Sequence, residues 1–270
     1  MLSPRIIPCL LLSNGALVKT QEFKNPRYVG DPINAVRIFN EKEADELSVF
    51  DIGASITNTD PNYQLIEKLA AECRMPLCYG GGIKNIQQAR RIITFGIEKV
   101  ALSSAAFECP ELIADIAQEV GSQSVVVVID VKCNSRTGEY EVFRKNSQST
   151  VGIRAVDFAI QAQKLGAGEI VVNSADLDGA MTGYDLVLAK QMKNAIGVPL
   201  TILGGAGRLD DMERLFQECG IVGAGAGSLF VFKGAFRAVL INYPTLAQRY
   251  NLFERSLLYS TNDRPLDVYE

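Results

Sequence analysis

Tyr79-Gly80-Gly81-Gly82-Ile83 and Leu203-Gly204-Gly205-Ala206-Gly207, two glycine-rich stretches each directly after a short apolar run, decide the fold of this chain. They stand at matching places in its two halves, which points to a duplicated half-barrel. Ser103-Ser104 follows the first stretch and Ser228 the second at nearly the same distance. Backbone N–H groups of such loops cradle phosphates, so the pattern fits a ligand with a phosphate at each end.

Outward from these loops, short β-branched or apolar runs alternate with helical patterns, the signature of βαβ units and a parallel sheet. Eight strands are predicted at 5–11, 46–51, 75–79, 98–103, 124–130, 168–173, 198–203 and 221–226, with helices at Tyr63–Cys73, Ile86–Phe95, Pro110–Val120, Ile153–Leu165, Leu186–Asn194 and Asp210–Cys219. Pro110 suits a first helical turn, and Gly96, Gly121, Gly166 and Gly220 suit helix C-termini. The expected fold is an α/β (β/α)8 TIM barrel with internal half-barrel duplication, a doubly wound open sheet being the alternative. Residues 1–250 are expected to form the single barrel domain and 251–270 a C-terminal extension, with Thr261-Asn262-Asp263-Arg264-Pro265 irregular.

Chemistry in such barrels sits at the C-terminal ends of the strands, and phosphate sites commonly follow strands 7 and 8. Gly204–Gly207 and Gly227-Ser228 fall there, with a short helix expected to begin near Ser228. One glycine-rich turn by itself merely closes a βα loop; four at equivalent strand ends favour a ligand.

Composition narrows the function. The 270 residues are 47% hydrophobic, the net charge is −4 and no arginine or lysine block is present, which argues against a nucleic-acid partner. The chain contains no histidine, so acid–base work falls to carboxylates, lysines, cysteines or tyrosines. Six cysteines (Cys9, Cys73, Cys78, Cys109, Cys133, Cys219) lack zinc-site spacing and read as reduced, mostly buried thiols of a cytoplasmic protein. No metal and no cofactor are expected. The run Ile6 to Leu12 is too short to span a membrane and has no cleavage site after it.

Asp130 closes the run Val125-Val126-Val127-Val128-Ile129 and so stands on the active rim of strand 5, the best single catalytic candidate. The corresponding residue of the first half is Leu11, which cannot transfer a proton. Asp51, Asn173, Ser174, Asp176 and Asp178 are further rim groups, Asp176 reading as solvated. Asp178-Gly179 is well placed because glycine lets backbone approach an anion closely. Lys19, in the long loop after strand 1, can bring a mobile cation over the site, although an exposed lysine is more often only solvated.

At the opposite rim, Arg5, Glu46, Lys99 and Glu169 lie at or near the starts of strands 1, 2, 4 and 6. Strand alternation puts Arg5 on one face with Ile7, Cys9 and Leu11, Lys99 with Ala101 and Ser103, and Glu169 with Val171 and Asn173. If Ser103 and Asn173 face the mouth, the charges face the barrel floor, where two cations and two anions can close a ring of ion pairs. Four solvated surface charges are the plain alternative.

Across residues 3–245 the chain resembles the cyclase subunit of imidazole glycerol phosphate synthase. The resemblance rests on Arg5-Ile6-Ile7-Pro8-Cys9-Leu10, Val18-Lys19, Val29-Gly30-Asp31-Pro32, Ala44-Asp45-Glu46-Leu47, Gly80-Gly81-Gly82-Ile83, Gly121-Ser122-Gln123, Gly166-Ala167-Gly168-Glu169-Ile170, Asp176-Leu177-Asp178-Gly179 and Gly204-Gly205-Ala206-Gly207. It implies a (β/α)8 barrel that receives ammonia from a glutamine amidotransferase (glutaminase) subunit on its bottom face and passes it to a bisphosphorylated ribulosyl substrate in histidine biosynthesis. Arg5, Glu46, Lys99 and Glu169 would then be the ammonia gate. One phosphate would rest on Gly82, Ser103 and Ser104, the other on Asp178, Gly179, Gly205, Gly227 and Ser228. Asp130 matches one of the two catalytic aspartates; Leu11 stands where the other belongs, and Ser103 replaces the usual asparagine.

Losing a general acid or base typically costs ~10²–10⁴-fold in rate, so Leu11 bears directly on cyclisation. Together with Val18-Lys19-Thr20 and Tyr28-Val29-Gly30-Asp31-Pro32-Ile33-Asn34-Ala35, the Cys-Leu-Leu-Leu run resembles a divergent second copy of this subunit found with surface-polysaccharide genes. That likeness implies delivery of glutamine-derived ammonia for amidino sugars. The readings are therefore a lyase-type synthase subunit using Asp130, a non-cyclising ammonia conduit and scaffold, and a sugar-phosphate isomerase, which leaves the floor charges unexplained.

Overall fold

The computed structural model describes residues 3–57, 59–144, 149–234 and 236–262, without the side chains of Ser55 and 257–262. Eight strands pair in parallel around a closed ring: β1 (Arg5–Ser13), β2 (Leu47–Asp51), β3 (Leu77–Gly80), β4 (Lys99–Leu102), β5 (Val125–Cys133), β6 (Glu169–Ser174), β7 (Leu200–Leu203) and β8 (Gly223–Ala226). Closure comes from β8 pairing β1, with Arg5 opposite Gly223. The open-sheet alternative is thereby excluded. All eight predicted strands form, most one or two residues shorter at their starts.

Alternation splits each strand between two cores. Ile6, Leu10, Val100, Val127, Ile170 and Val172 point outward and pack under the helices. Cys78, Ala101, Val126 and Val171 pack inside the barrel with Phe50, Val128 and Leu203. Helices start where side chains cap them: Asp31 accepts from Asn34 N at 2.8 Å ahead of Pro32, Asn85 from Gln88 N at 2.9 Å and Asp185 from Leu188 N at 2.9 Å, each satisfying an N–H that the helix leaves free. The duplication shows in the backbone. Gly81 and Gly82 after β3, and Gly204 and Gly205 after β7, all take positive φ (121°, 73°, 97° and 100°), four strands apart in the ring.

Several expectations need correction. The loop after β1 is a hairpin, Ala16–Gln21 with Lys24–Gly30, continuing β1 through Asn14-Gly15 with both residues at positive φ; Asn-Gly is the strongest two-residue hairpin signal. The helix expected from Ile153 begins at Ala155, because Ser149–Arg154 is a strand paired with Tyr140–Arg144. Four helices went unforeseen, Pro32–Glu41, Ile52–Thr57, Ser104–Glu108 and Leu246–Asn262. The helix Leu246–Asn262 runs without interruption through residue 250 and includes Thr261 and Asn262, while 263–265 lie outside the described residues. It holds to the barrel by Phe253 against Phe216, ring centroids 5.7 Å apart, by Arg255–Glu213 at 3.1 Å and by buried Leu252. All six thiols are free, but only Cys9, Cys78 and Cys219 are buried, with Cys109 and Cys133 exposed. Among the described residues no helix is long and apolar enough to cross a membrane.

Candidate active site and barrel floor

At the N-terminal ends of the strands, four charged side chains form a closed ring across the barrel axis. Arg5 contacts Glu46 at 2.5 Å and Glu169 at 2.8 Å; Lys99 contacts Glu46 at 2.7 Å and Glu169 at 2.8 Å. Thr201, not foreseen from sequence although it shares the inward face with Leu203, donates its hydroxyl to Glu169 at 2.7 Å. Burial penalises the charge of Arg5 and of Lys99, yet the Glu169 and Glu46 carboxylates outweigh it and raise both cations above their ordinary values. Burial likewise works against Glu169, and Arg5 and Lys99 overcome it, holding its carboxyl below the usual range. The four groups compensate one another where an unpaired ion would be very costly.

Above the ring the interior is packed mainly with apolar side chains, Ala101, Val126 and Val171 among them, beside the thiols of Cys9 and Cys78 and the buried hydroxyl of Ser48. Burial, reinforced by the Glu46 charge, pushes Cys9 up to about 12 and raises Cys78 as well.

At the C-terminal ends, a cavity of about 400 Å³ opens between Leu11, Phe50, Gly80–Gly82, Ser103, Ser104, Val128, Asp130, Asn173 and Leu203. Asp130 enters from β5 and Leu11 from β1, on opposite sides of the eight-strand ring. Asn173 on β6 donates from Nδ2 to Asp130 Oδ1 at 2.8 Å. Ser103 precedes the helix Ser104–Glu108 without capping it through its side chain. The glycines of the two loops have steric duties of their own. A Cβ on Gly82 would come within 2.8 Å of Thr59 O, and one on Gly205 within 2.0 Å of Gly183 O. Their presence thus needs no ligand.

Lys19 is buried where the sequence suggested a solvated cation. It is 7% exposed rather than solvated, donates to Asp178 Oδ1 at 2.6 Å, and lines a second cavity of about 390 Å³ with Lys24, Arg27, Ser228, Phe232 and Arg237, not the one that holds Asp130. Asp178 also accepts from Thr20 Oγ1 at 2.8 Å and Phe23 N at 3.1 Å, and its backbone oxygen from Glu22 N at 2.9 Å. The Asp178 carboxylate is thus engaged in holding the hairpin after β1. Gly179 lies against that hairpin too, since a Cβ there would meet Thr20 O at 2.6 Å. Gly227 supports the Lys19 stem, its would-be Cβ lying 3.0 Å from Lys19 Cε. Phe23 stacks on Phe143 of the other hairpin with centroids 5.8 Å apart, so both hairpins meet over the mouth. Arg27 and Arg237 escaped the sequence reading because they come from separate hairpins; Arg27 Nη1 donates to the Arg237 carbonyl at 3.1 Å.

The chain matches a family model described as histidine biosynthesis protein over residues 5–237. The chain belongs to that family. Among its relatives, a Leptospira interrogans protein provisionally named imidazole glycerol phosphate synthase subunit HisF is 56% identical over 253 residues, 94% of this chain and 100% of the relative. A Pseudomonas aeruginosa protein provisionally named as subunit hisF2 of the same synthase is 48% identical over 244 residues, 90% of this chain and 97% of the other. The imidazole glycerol phosphate synthase subunit HisF of Lactococcus lactis subsp. cremoris is 41% identical over 230 residues, 85% of this chain and 89% of the relative. The histidine biosynthesis barrel of this chain thus spans nearly the full length of proteins named as subunits of one synthase.

Proposed function

We propose that the protein is the ammonia-accepting, cyclase-type subunit of a glutamine amidotransferase complex. Its reaction would join ammonia to a bisphosphorylated ribulosyl aminoimidazole substrate, giving imidazole glycerol phosphate and the carboxamide ribotide. The observation that carries the reading is the closed ring of Arg5, Glu46, Lys99 and Glu169 beneath an apolar interior. A ring whose charges pair only with one another can part and re-form to let a small neutral molecule through, and the apolar walls above favour ammonia over ammonium. A glutaminase subunit on this floor, a cytoplasmic setting and phosphates at Gly82/Ser103/Ser104 and at Gly179/Gly205/Gly227/Ser228 belong to the same reading.

At the mouth, Asp130 is the group suited to move a proton, and Asn173 fixes the direction of its carboxylate. Lys19 is drawn into this chemistry only if the hairpin shifts, because its ammonium is held by Asp178. The direct test supplies purified protein with ammonium salt and the ribulosyl bisphosphate and follows the imidazole product. Co-purification with a glutaminase subunit tests the partner.

Leu11 favours a second reading, a non-cyclising conduit that hands ammonia to another enzyme for amidino groups on surface-polysaccharide sugars. Lack of product in the direct test, with ammonia still delivered from glutamine, would select this alternative.

A further inference from the structure

The inner face of β6 carries Glu169, Val171 and Asn173 in line, in register with Val126, Val128 and Asp130 of β5. Glu169 belongs to the charged floor, so one strand face leads from the ring to the mouth. At its upper end, Asn173 Nδ2 donates to Asp130 Oδ1 at 2.8 Å. This bond fixes which way round the amide sits, because turning it over would set Asn173 Oδ1 against a carboxylate oxygen, acceptor facing acceptor.

The amide oxygen is left without a partner. Asn173 is 7% exposed, and its Oδ1 makes no hydrogen bond. Tyr79 Oη and Ser228 Oγ share that condition among the described side chains, but neither lies next to Asp130. Gly204 keeps the space beside the oxygen clear, since a Cβ there would stand 3.2 Å from it. A buried acceptor that gave up water for nothing is costly, and the side chain that carries it lines the same cavity as Asp130.

We infer that Asn173 Oδ1 and the Asp130 carboxylate form a two-acceptor seat for ammonia or ammonium at the top of the barrel axis. The inference rests on the reading that ammonia arrives there, and adds where it stops. Two neighbouring acceptors, one of them charged, match a nitrogen carrying several N–H bonds. A hydroxyl offers one hydrogen to two acceptors, and a phosphate oxygen offers none.

The test uses the full chain with ¹³C in the side-chain carbonyls of aspartate and asparagine, titrated with ammonium chloride and, in parallel, with tetramethylammonium chloride, a cation without N–H. The Asp130 and Asn173 resonances are expected to move saturably with ammonium and to ignore tetramethylammonium at equal ionic strength. Asn173→Leu should weaken the Asp130 response at least tenfold, while Asn173→Asp, which keeps an acceptor and shares one proton with Asp130 in place of the amide N–H, should retain it. Equal responses to both cations, no response to ammonium, or an unchanged response in Asn173→Leu would each overturn the seat. Resonances of distant aspartates report whether both variants fold, and if Asn173→Leu does not, loss of the response in folded Asn173→Asp overturns the seat as well. No glutaminase or acceptor substrate is present, so the outcome is independent of delivery: a working seat in a protein that takes no nitrogen from glutamine would remove the proposed function and leave the seat standing.

Discussion

The Lys19 ammonium lies 2.6 Å from the Asp178 carboxylate, 159 residues along the chain, with both side chains almost wholly buried. This pair, with Thr20 Oγ1 and Phe23 N on the other carboxylate oxygen, latches the hairpin after β1 onto the loop after β6.

Asp178→Asn should therefore loosen the hairpin far more than the barrel. Removing one partner of a buried ion pair typically costs ~3 kcal/mol or more, and here the loss falls on a local element whose opening does not require unfolding. Hydrogen exchange at residues 16–30 is expected to quicken roughly a hundredfold, each tenfold step being ~1.4 kcal/mol, with exchange in β5 and β6 little changed. Equal acceleration across the barrel would show that the latch is part of the global fold.

The floor ring should make stability fall in acid. Arg5 and Lys99 hold Glu169 below the ordinary carboxylate range, so its contribution is present above the unfolded value and is lost as pH falls through the lower folded value. Glu169→Gln is expected to cost ~3 kcal/mol near neutral pH. The gap to the native protein should close progressively below about pH 4, where the unfolded carboxylate takes up its proton. Denaturant unfolding of both proteins at several pH values measures it, and a gap constant with pH would mean that the charge of Glu169 is not what stabilises.

Leu11 faces the cavity that holds Asp130. If cyclisation wants a carboxylate on each side, Leu11→Asp should raise turnover of the ribulosyl bisphosphate with ammonium salt by ~10-fold or more, ~1.4 kcal/mol for each factor of ten. The wild-type protein should be slow beside a relative with both aspartates. Native turnover equal to that of such a relative would instead exclude the conduit reading.

Two anion sites should appear in crystals grown from phosphate, one against Gly82 and Ser104, the other in the cavity that Lys19, Arg27, Arg237 and Ser228 line. Ser228 Oγ, buried without a partner, should be among the contacts of the second. Arg237→Ala is expected to weaken phosphate at that site several-fold, as loss of a charge-assisted bond does. Density at neither place would set aside the two-phosphate reading.

Much of this molecule was legible in the sequence because it is written in local signals. Apolar runs of strand length, helices closed by Gly96, Gly121, Gly166 and Gly220, and the paired glycine loops need only neighbouring residues, so the eight-strand barrel and its duplication could be read directly. Strand parity likewise put Arg5, Lys99 and Glu169 on inward faces. What parity could not give was the pairing: that each cation meets both carboxylates, and that Thr201 joins them, depends on how far eight strands stagger around the ring. Lys19 is the clearest case. Its type and place suggested a solvated, mobile cation, and only Asp178, brought near by ring closure, buries it. Asn173 shows the same division, since sequence makes it one rim polar group among several, whereas the register of β5 with β6 turns its amide onto Asp130 and strands its oxygen. Sequence thus determined which elements form and which way their residues face, because those follow from short-range sterics and hydrophobic period; the tertiary structure decided which charges and amides meet, because those distances are set by closure of the barrel.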